Sequence, residues 1–278
     1  MSGLELRDLT AVIGAEVAGA GLKDCVADDA LAGDLRAALS DKLVLGFRDQ
    51  HLDDETHKAV ASLFGSPMVH PIMQALGGTE PMEEISDSSE KLPDRDGWHT
   101  DAPFLVRPPG VAVLRAVRVP PAGGDTLWAN MHDAYDACSP VMQEMLTGLR
   151  VQYPPLEGLF TYVREHLGEE IAEKTREITG AGGEHPIVRT HPATGRRAIY
   201  YAEGFAGPIT GLHADENAAL RGFLAALPTN PNRQCRWRWR EGDVVMWDER
   251  ATQHFGAADH RGGDRTIKRV MVEGEIPE

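Results

Sequence analysis

The chain has 278 residues, of which 42% are hydrophobic and 26% charged, so it can bury a sizeable core at a length that sandwiches and barrels reach as one unit. Its formal net charge of −15 at pH 7 argues against a nucleic-acid backbone as partner, and no apolar run of about eighteen residues offers a membrane span. Cys25, Cys138 and Cys235 lie far apart without a CxxC, which excludes a disulfide scaffold, and the first residues lack a basic stretch followed by an apolar one. The expected compartment is therefore the reducing cytoplasm.

In chain order, residues 28–40 read as an amphipathic helix with acidic residues at its start, and Leu43–Phe47 as a buried strand. A second helix opens at His51-Leu52-Asp53-Asp54 and runs to about Phe64, with an aspartate as its cap. Residues 77–97 are polar and irregular, the composition of a lid-like loop over a site. Gly110–Val119 is a strand, Gly123-Gly124-Asp125 a turn, and Thr126-Leu127-Trp128 resumes the strand. Ser139-Pro140 starts a helix, and a helical insertion spans about 155–182. Pro186–His191 and Ala198–Ala202 flank a hairpin turn, His213–Leu227 is helical, and Arg236–Arg240 alternates tryptophan with arginine. Val244–Trp247 and Thr266–Glu273 complete the strands. With no internal repeat or dividing linker, the pattern predicts a single domain over 1–278, mainly β with flanking helices, built on a jelly-roll core.

The motif His-x-Asp occurs at His51–Asp53, His99–Asp101 and His213–Asp215. The first and third open helices, where aspartate serves as an N-cap. Only His99-Thr100-Asp101 falls in a strand context, where positions i and i+2 share a face and offer two ligands to one metal. His254, in Thr252-Gln253-His254, follows a late strand that a jelly roll can lay beside an early one. Two imidazoles and one carboxylate on one face of an octahedron leave coordination positions open, as non-haem iron(II) oxygenases require. Arg265 and Arg269 follow at even spacing, so on an extended strand they share a face and form an anion clamp suited to a carboxylate.

Together the blocks Trp98-His99-Thr100-Asp101, Gly123-Gly124-Asp125-Thr126-Leu127-Trp128, Val188-Arg189-Thr190-His191-Pro192, Glu203-Gly204-Phe205, Arg236-Trp237-Arg238-Trp239 and Trp247-Asp248 through His254 resemble the taurine dioxygenase (TauD/TfdA) family over most of the chain. The resemblance implies a double-stranded β-helix, iron(II) held by His99, Asp101 and His254, and 2-oxoglutarate as co-substrate. It implies that Thr126 and Arg265 hold the distal carboxylate of 2-oxoglutarate, with Arg269 near its other end. It further implies oxidative decarboxylation to succinate and carbon dioxide, coupled through dioxygen to hydroxylation of a C–H bond in a small, anionic substrate. Taurine or another sulfonate comes first; an alkyl sulfate, an aryloxyalkanoate or a natural-product precursor are the alternatives.

For the substrate, His70 matches a sulfonate-binding position of the taurine enzymes, Arg269 lies near, and Phe205 and Phe160 are candidate walls. Met73 and Arg95 stand where those enzymes have tyrosine and asparagine, and Tyr153–Gly180 shows little likeness to them. His132, His185 and His191 read as structural, and His260 is not assigned a direct role. Two other classes remain to be separated: a cupin-like metal enzyme independent of 2-oxoglutarate, which has no use for the arginine clamp, and a non-catalytic anion-binding protein. Homo-oligomerisation is left open by the sequence.

Overall fold

A computed structural model describes residues 3–87, 97–260 and 263–278. It opens with the hairpin β1 (Glu5–Asp8) and β2 (Ala15–Ala18), followed by helices α1 (Leu22–Ala27) and α2 (Asp29–Lys42). Asp28 caps α2 by accepting from the amides of Ala30 and Leu31, and Leu35 and Leu39, one turn apart, bury its inner face. β3 (Val44–Phe47) is fully buried, and α3 (Asp54–Ser62) is capped by Asp53, which accepts from Thr56 N at 2.7 Å. β4 (Pro67–Met68), α4 (Pro71–Ala75) and β5 (Met82–Asp87) lead toward the first long strand, β6 (Pro109–Arg118).

β7 (Thr126–Asn130) is followed by α5 (Met131–Asp136), α6 (Pro140–Thr147) and β8 (Arg150–Tyr153). The helical insertion is the pair α7 (Glu157–Leu167) and α8 (Glu169–Thr179), tied by the Arg176–Glu157 salt bridge. β9 (Gly183–Pro186), the hairpin β10 (Val188–Thr190) and β11 (Arg197–Ile199), and α9 (Ala214–Ala226) come next. β12 (Gln234–Trp237), β13 (Val244–Asp248), β14 (Thr252–Gly256) and β15 (Arg265–Glu273) finish the chain.

Among the described residues the larger sheet runs β1-β2-β3-β13-β6-β15-β4, with β5 also on β15, and a second sheet runs β12-β7-β14. Period-two alternation divides the larger sheet between two cores. Val111 and Val113 of β6 and Val244 and Met246 of β13 pack with Leu35, Leu39 and Val60 of the helices. Ala112, Leu114, Val245 and Trp247 point the other way, against Trp128 and Trp237 of the second sheet, and the Trp128 and Trp247 rings meet at 5.5 Å. This is the expected jelly-roll sandwich with helices on its outer face. Trp237 and Trp239 are buried while Arg236, Arg238 and Arg240 are exposed, so that alternation is a sheet edge facing the core.

Three expectations need correction. Residues 82–87 of the expected loop are strand β5, in register with β15; their three acids disguise a strand because Glu and Asp are poor strand formers in isolation. Residues 88–96 of that loop, including Arg95, lie outside the described residues. His99-Thr100-Asp101 is no continuous strand: His99 makes a single antiparallel bridge with His254, and Asp101 sits in a bend before Ala102, whose φ is +43°. In the third His-x-Asp, His213 is the N-cap of α9 and Glu216 closes on its amide, leaving Asp215 in the first turn.

Candidate active site

His254 stands on β14 opposite Trp128 of β7, and its backbone exchanges two hydrogen bonds with His99: His99 N donates to His254 O at 3.0 Å, and His254 N to His99 O at 2.7 Å. This bridge sets the two imidazoles 4.2 Å apart, centroid to centroid. Asp101 Oδ1 lies 3.9 Å from His99 Nε2 and 4.0 Å from His254 Nε2. One ligand atom from each of the three residues falls within 4.8 Å of the others. Nδ1 of His99 is 2.8 Å from the carbonyl of Gly97, which can only accept, so Nε2 carries the lone pair and faces inward.

Electrostatics favour a cation here. Burial and the neighbouring His99 push His254 down to about 3, so it offers a lone pair and no charge. Burial alone would raise the Asp101 carboxyl, but the Arg269 guanidinium beside it holds it well below the usual carboxylate range. Two imidazoles and one ionised carboxylate that converge on a buried point fit a divalent metal of the iron class.

Beside this triad β15 carries both arginines on its inner face, as their even spacing requires. Each faces an acid of β5 in register, Arg265 opposite Asp87 and Arg269 opposite Glu83. Arg265 Nη1 donates to Asp87 Oδ2 at 3.3 Å, while Arg269 donates to Glu83 at 2.8 Å and to Asp101 Oδ2 at 2.7 Å. The Nε of each arginine is buried and has no hydrogen-bond partner among the described residues, an unmet donor of the kind a bound anion satisfies. Thr126 is buried, and its hydroxyl accepts from Trp239 Nε1 at 3.0 Å, which leaves its own proton to donate.

His70 caps α4, its Nδ1 accepting from Ile72 N at 3.3 Å. Burial lowers its pKa, and the charges of Glu83, Arg269 and Asp101 all act on it, so it belongs to the same charge cluster. The Phe205 ring lies 6.1 Å from His99 and 6.1 Å from Phe104, giving the site an apolar wall. Phe160 has the Arg176 guanidinium over its ring at 4.3 Å and so packs within the helical insertion. His185 and His132 are buried and bonded to main-chain carbonyls, and His191 is bonded to Asp248 at 2.9 Å, so all three are structural.

Sequence reasoning missed Glu249. Its fully buried carboxyl accepts from Thr100 Oγ1 at 2.6 Å, Asp101 N at 3.0 Å and Trp247 Nε1 at 2.6 Å, with Oε1 3.9 Å from His254 Nδ1. A turn acid after a strand reads as solvated, so nothing in the sequence marks it. Glu83 and Asp87 were legible in principle, since their four-residue spacing mirrors that of Arg265 and Arg269 in antiparallel order.

A jelly roll with two histidines and a carboxylate gathered at one end of its inner face, and arginines alongside, defines the mononuclear metal-dependent oxygenase class. The chain belongs to the family described as "Taurine catabolism dioxygenase TauD, TfdA family", whose model matches residues 5–271. It is therefore an enzyme of the α-ketoglutarate-dependent dioxygenases. It is similar to the alkylsulfatase of Acinetobacter baylyi, with 34% identity over 98% of this chain and 86% of that protein. It is similar also to the alpha-ketoglutarate-dependent sulfate ester dioxygenase of Pseudomonas putida, with 32% identity over 99% of this chain and 91% of that protein. A solved taurine dioxygenase from Burkholderia xenovorans superposes with a TM-score of 0.81 at 32% identity, covering 99% of this chain and 92% of that one. No helix among the described residues is long and apolar enough to cross a membrane.

Proposed function

We propose that the chain holds iron(II) at His99, Asp101 and His254, and 2-oxoglutarate against Thr126, Arg265 and Arg269. With these it oxidises the carbon next to the oxyanion group of a small organosulfur acid. The observation that carries the reading is the pairing of a His-Asp-His cluster with two buried arginines whose Nε donors are unmet. A cupin-like enzyme without a keto-diacid co-substrate has no use for that pairing, nor has a plain anion-binding protein for the triad.

The bound metal supplies the oxygen chemistry. The residues bind, orient and exclude water: Arg265 and Thr126 fix the distal carboxylate, and Arg269 and His70 lie on the side where a substrate oxyanion would sit. Phe205 and Phe104 keep that side dry and apolar. Such a wall suits an alkyl chain better than an ammonium group. We therefore favour a sulfate ester, with an apolar sulfonate second. Hydroxylation of the carbon bearing the ester oxygen gives a hemiacetal-like sulfate that collapses to an aldehyde and inorganic sulfate, while 2-oxoglutarate and dioxygen yield succinate and carbon dioxide.

The test is an anaerobic titration of the protein with iron(II) and 2-oxoglutarate. A weak visible charge-transfer band is expected, absent in His99→Ala and weakened in Arg265→Ala. Succinate release is then scored against hexyl sulfate, taurine and 2-phenoxypropionate. A band indifferent to 2-oxoglutarate sinks the enzyme reading; coupling to taurine but not hexyl sulfate reverses the substrate order.

A further inference from the structure

His260 is 6% exposed, and neither of its ring nitrogens has a hydrogen-bond partner among the described residues. A buried imidazole left unpaired on both sides is costly, so its position calls for a ligand or a bound water. Its neighbourhood identifies which. Gly124, with φ at +71°, has no side chain, and a Cβ placed there would lie 3.6 Å from His260 Nδ1 and 3.4 Å from Arg265 Nε. The glycine lets the Arg265 side chain pack close, its Cδ 3.1 Å from that position, and two buried, unmet nitrogens thus lie within reach of one point.

The imidazole is held there by its loop. Gly124 N donates to Asp259 Oδ1 at 2.8 Å, and Ala257 N donates to Asp125 O at 2.8 Å. Arg236 bridges the same two segments, 2.6 Å from Asp125 and 3.6 Å from Asp259. Thr126, two residues beyond Gly124, has a hydroxyl proton to give. One permanent cation and one imidazole N–H facing the same point, with a hydroxyl two residues along the chain, suit an acceptor with several lone pairs, which a carboxylate is and a neutral group is not.

We propose that His260 is a third donor to the distal carboxylate of 2-oxoglutarate, acting with Arg265 and Thr126; this rests on the co-substrate reading above. The loop 257–260 then does more than connect β14 to β15: it completes the diacid specificity of the site.

The experiment measures binding to the Mn(II)-loaded protein by calorimetry, with 2-oxoglutarate and with 2-oxobutyrate, which keeps the chelating keto-acid end and lacks the distal carboxylate. His260→Phe is expected to raise the Kd for 2-oxoglutarate at least about tenfold, as loss of a hydrogen bond to a charged group does, and to leave 2-oxobutyrate unchanged. His260→Gln, which retains an N–H donor, recovers most of the difference and covers the case in which the phenylalanine variant folds poorly. Equal 2-oxoglutarate affinity in wild type and both variants overturns the proposal, and so does a parallel loss for both acids. If Arg265→Ala weakens 2-oxoglutarate while the His260 variants do not, the proposal fails and the co-substrate reading stands. If wild type fails to distinguish the two acids, both fail.

Discussion

Asp101 divides its two oxygens between two tasks: Oδ1 faces the imidazoles of His99 and His254, and Oδ2 takes a 2.7 Å hydrogen bond from Arg269 Nη1. The guanidinium keeps a buried carboxylate ionised against the pull of burial, so the triad is charged and ready before any metal arrives. In the wild type this contribution to stability is present above the ordinary carboxyl value of 3.8 and is lost only as pH falls below it. Arg269→Met orphans the carboxylate. The metal-free variant is expected to lose about 3 kcal/mol of unfolding free energy at pH 7.5 in urea titrations. The deficit should be smaller at pH 5, where the orphaned group takes up a proton; an equal deficit at both pH values would show that Asp101 is not the group affected.

Glu249 acts on two of the proposed ligands at once, through the Asp101 amide and from 3.9 Å beside His254 Nδ1. Outer groups of this kind orient ligands and tune their basicity, and their loss typically costs about 10–100-fold in metal affinity. Glu249→Leu should weaken Co(II) binding by that factor, followed through the cobalt visible spectrum. Glu249→Gln, which still accepts from Thr100 and Asp101, should fall in between. Unaltered cobalt affinity in Glu249→Leu would reduce the residue to a loop anchor.

Asp248 is fully buried and shared by His191 at 2.9 Å and by Arg250 Nε at 2.8 Å, which ties the β10–β11 hairpin to the end of β13. Burial raises its carboxyl, but Arg250 and His191 outweigh that and hold it well below the usual range. Removing one member of such a cluster strands the others. Asp248→Ala is expected to lower the unfolding free energy by about 3–5 kcal/mol, seen as a lower urea midpoint with an unchanged slope.

His57 is buried in α3, 3.0 Å from the carbonyl of Val113, and burial pushes its pKa from 6.5 down to about 4. Since the folded value is lowered, its stabilising contribution is complete above pH 6.5 and is lost as pH falls toward 4. The loss approaches about 3 kcal/mol at the lower end. Measured as the difference between wild type and His57→Gln, so that other groups cancel, the urea midpoints should converge between pH 7 and pH 4. Parallel curves would contradict the assignment.

Much of this protein could be read along the chain. Caps and spacing located α2, α3 and α9, because burial on one face leaves a period in the residues themselves, while β6 and β13 showed as apolar runs because both their faces are buried. The His99–Asp101 pair, His254 and the evenly spaced arginines were visible for the same reason: each is a local pattern whose chemistry is set by residue type. The tertiary structure alone decided what meets across the fold. It made an acid-rich segment into β5, because Arg265 and Arg269 on the opposite strand neutralise Asp87 and Glu83. It reduced the expected ligand strand to one bridge at His99. It buried Glu249 and His260, which look solvated in the sequence. Whether such a side chain faces water or a partner is a property of distant segments, and no local pattern carries it.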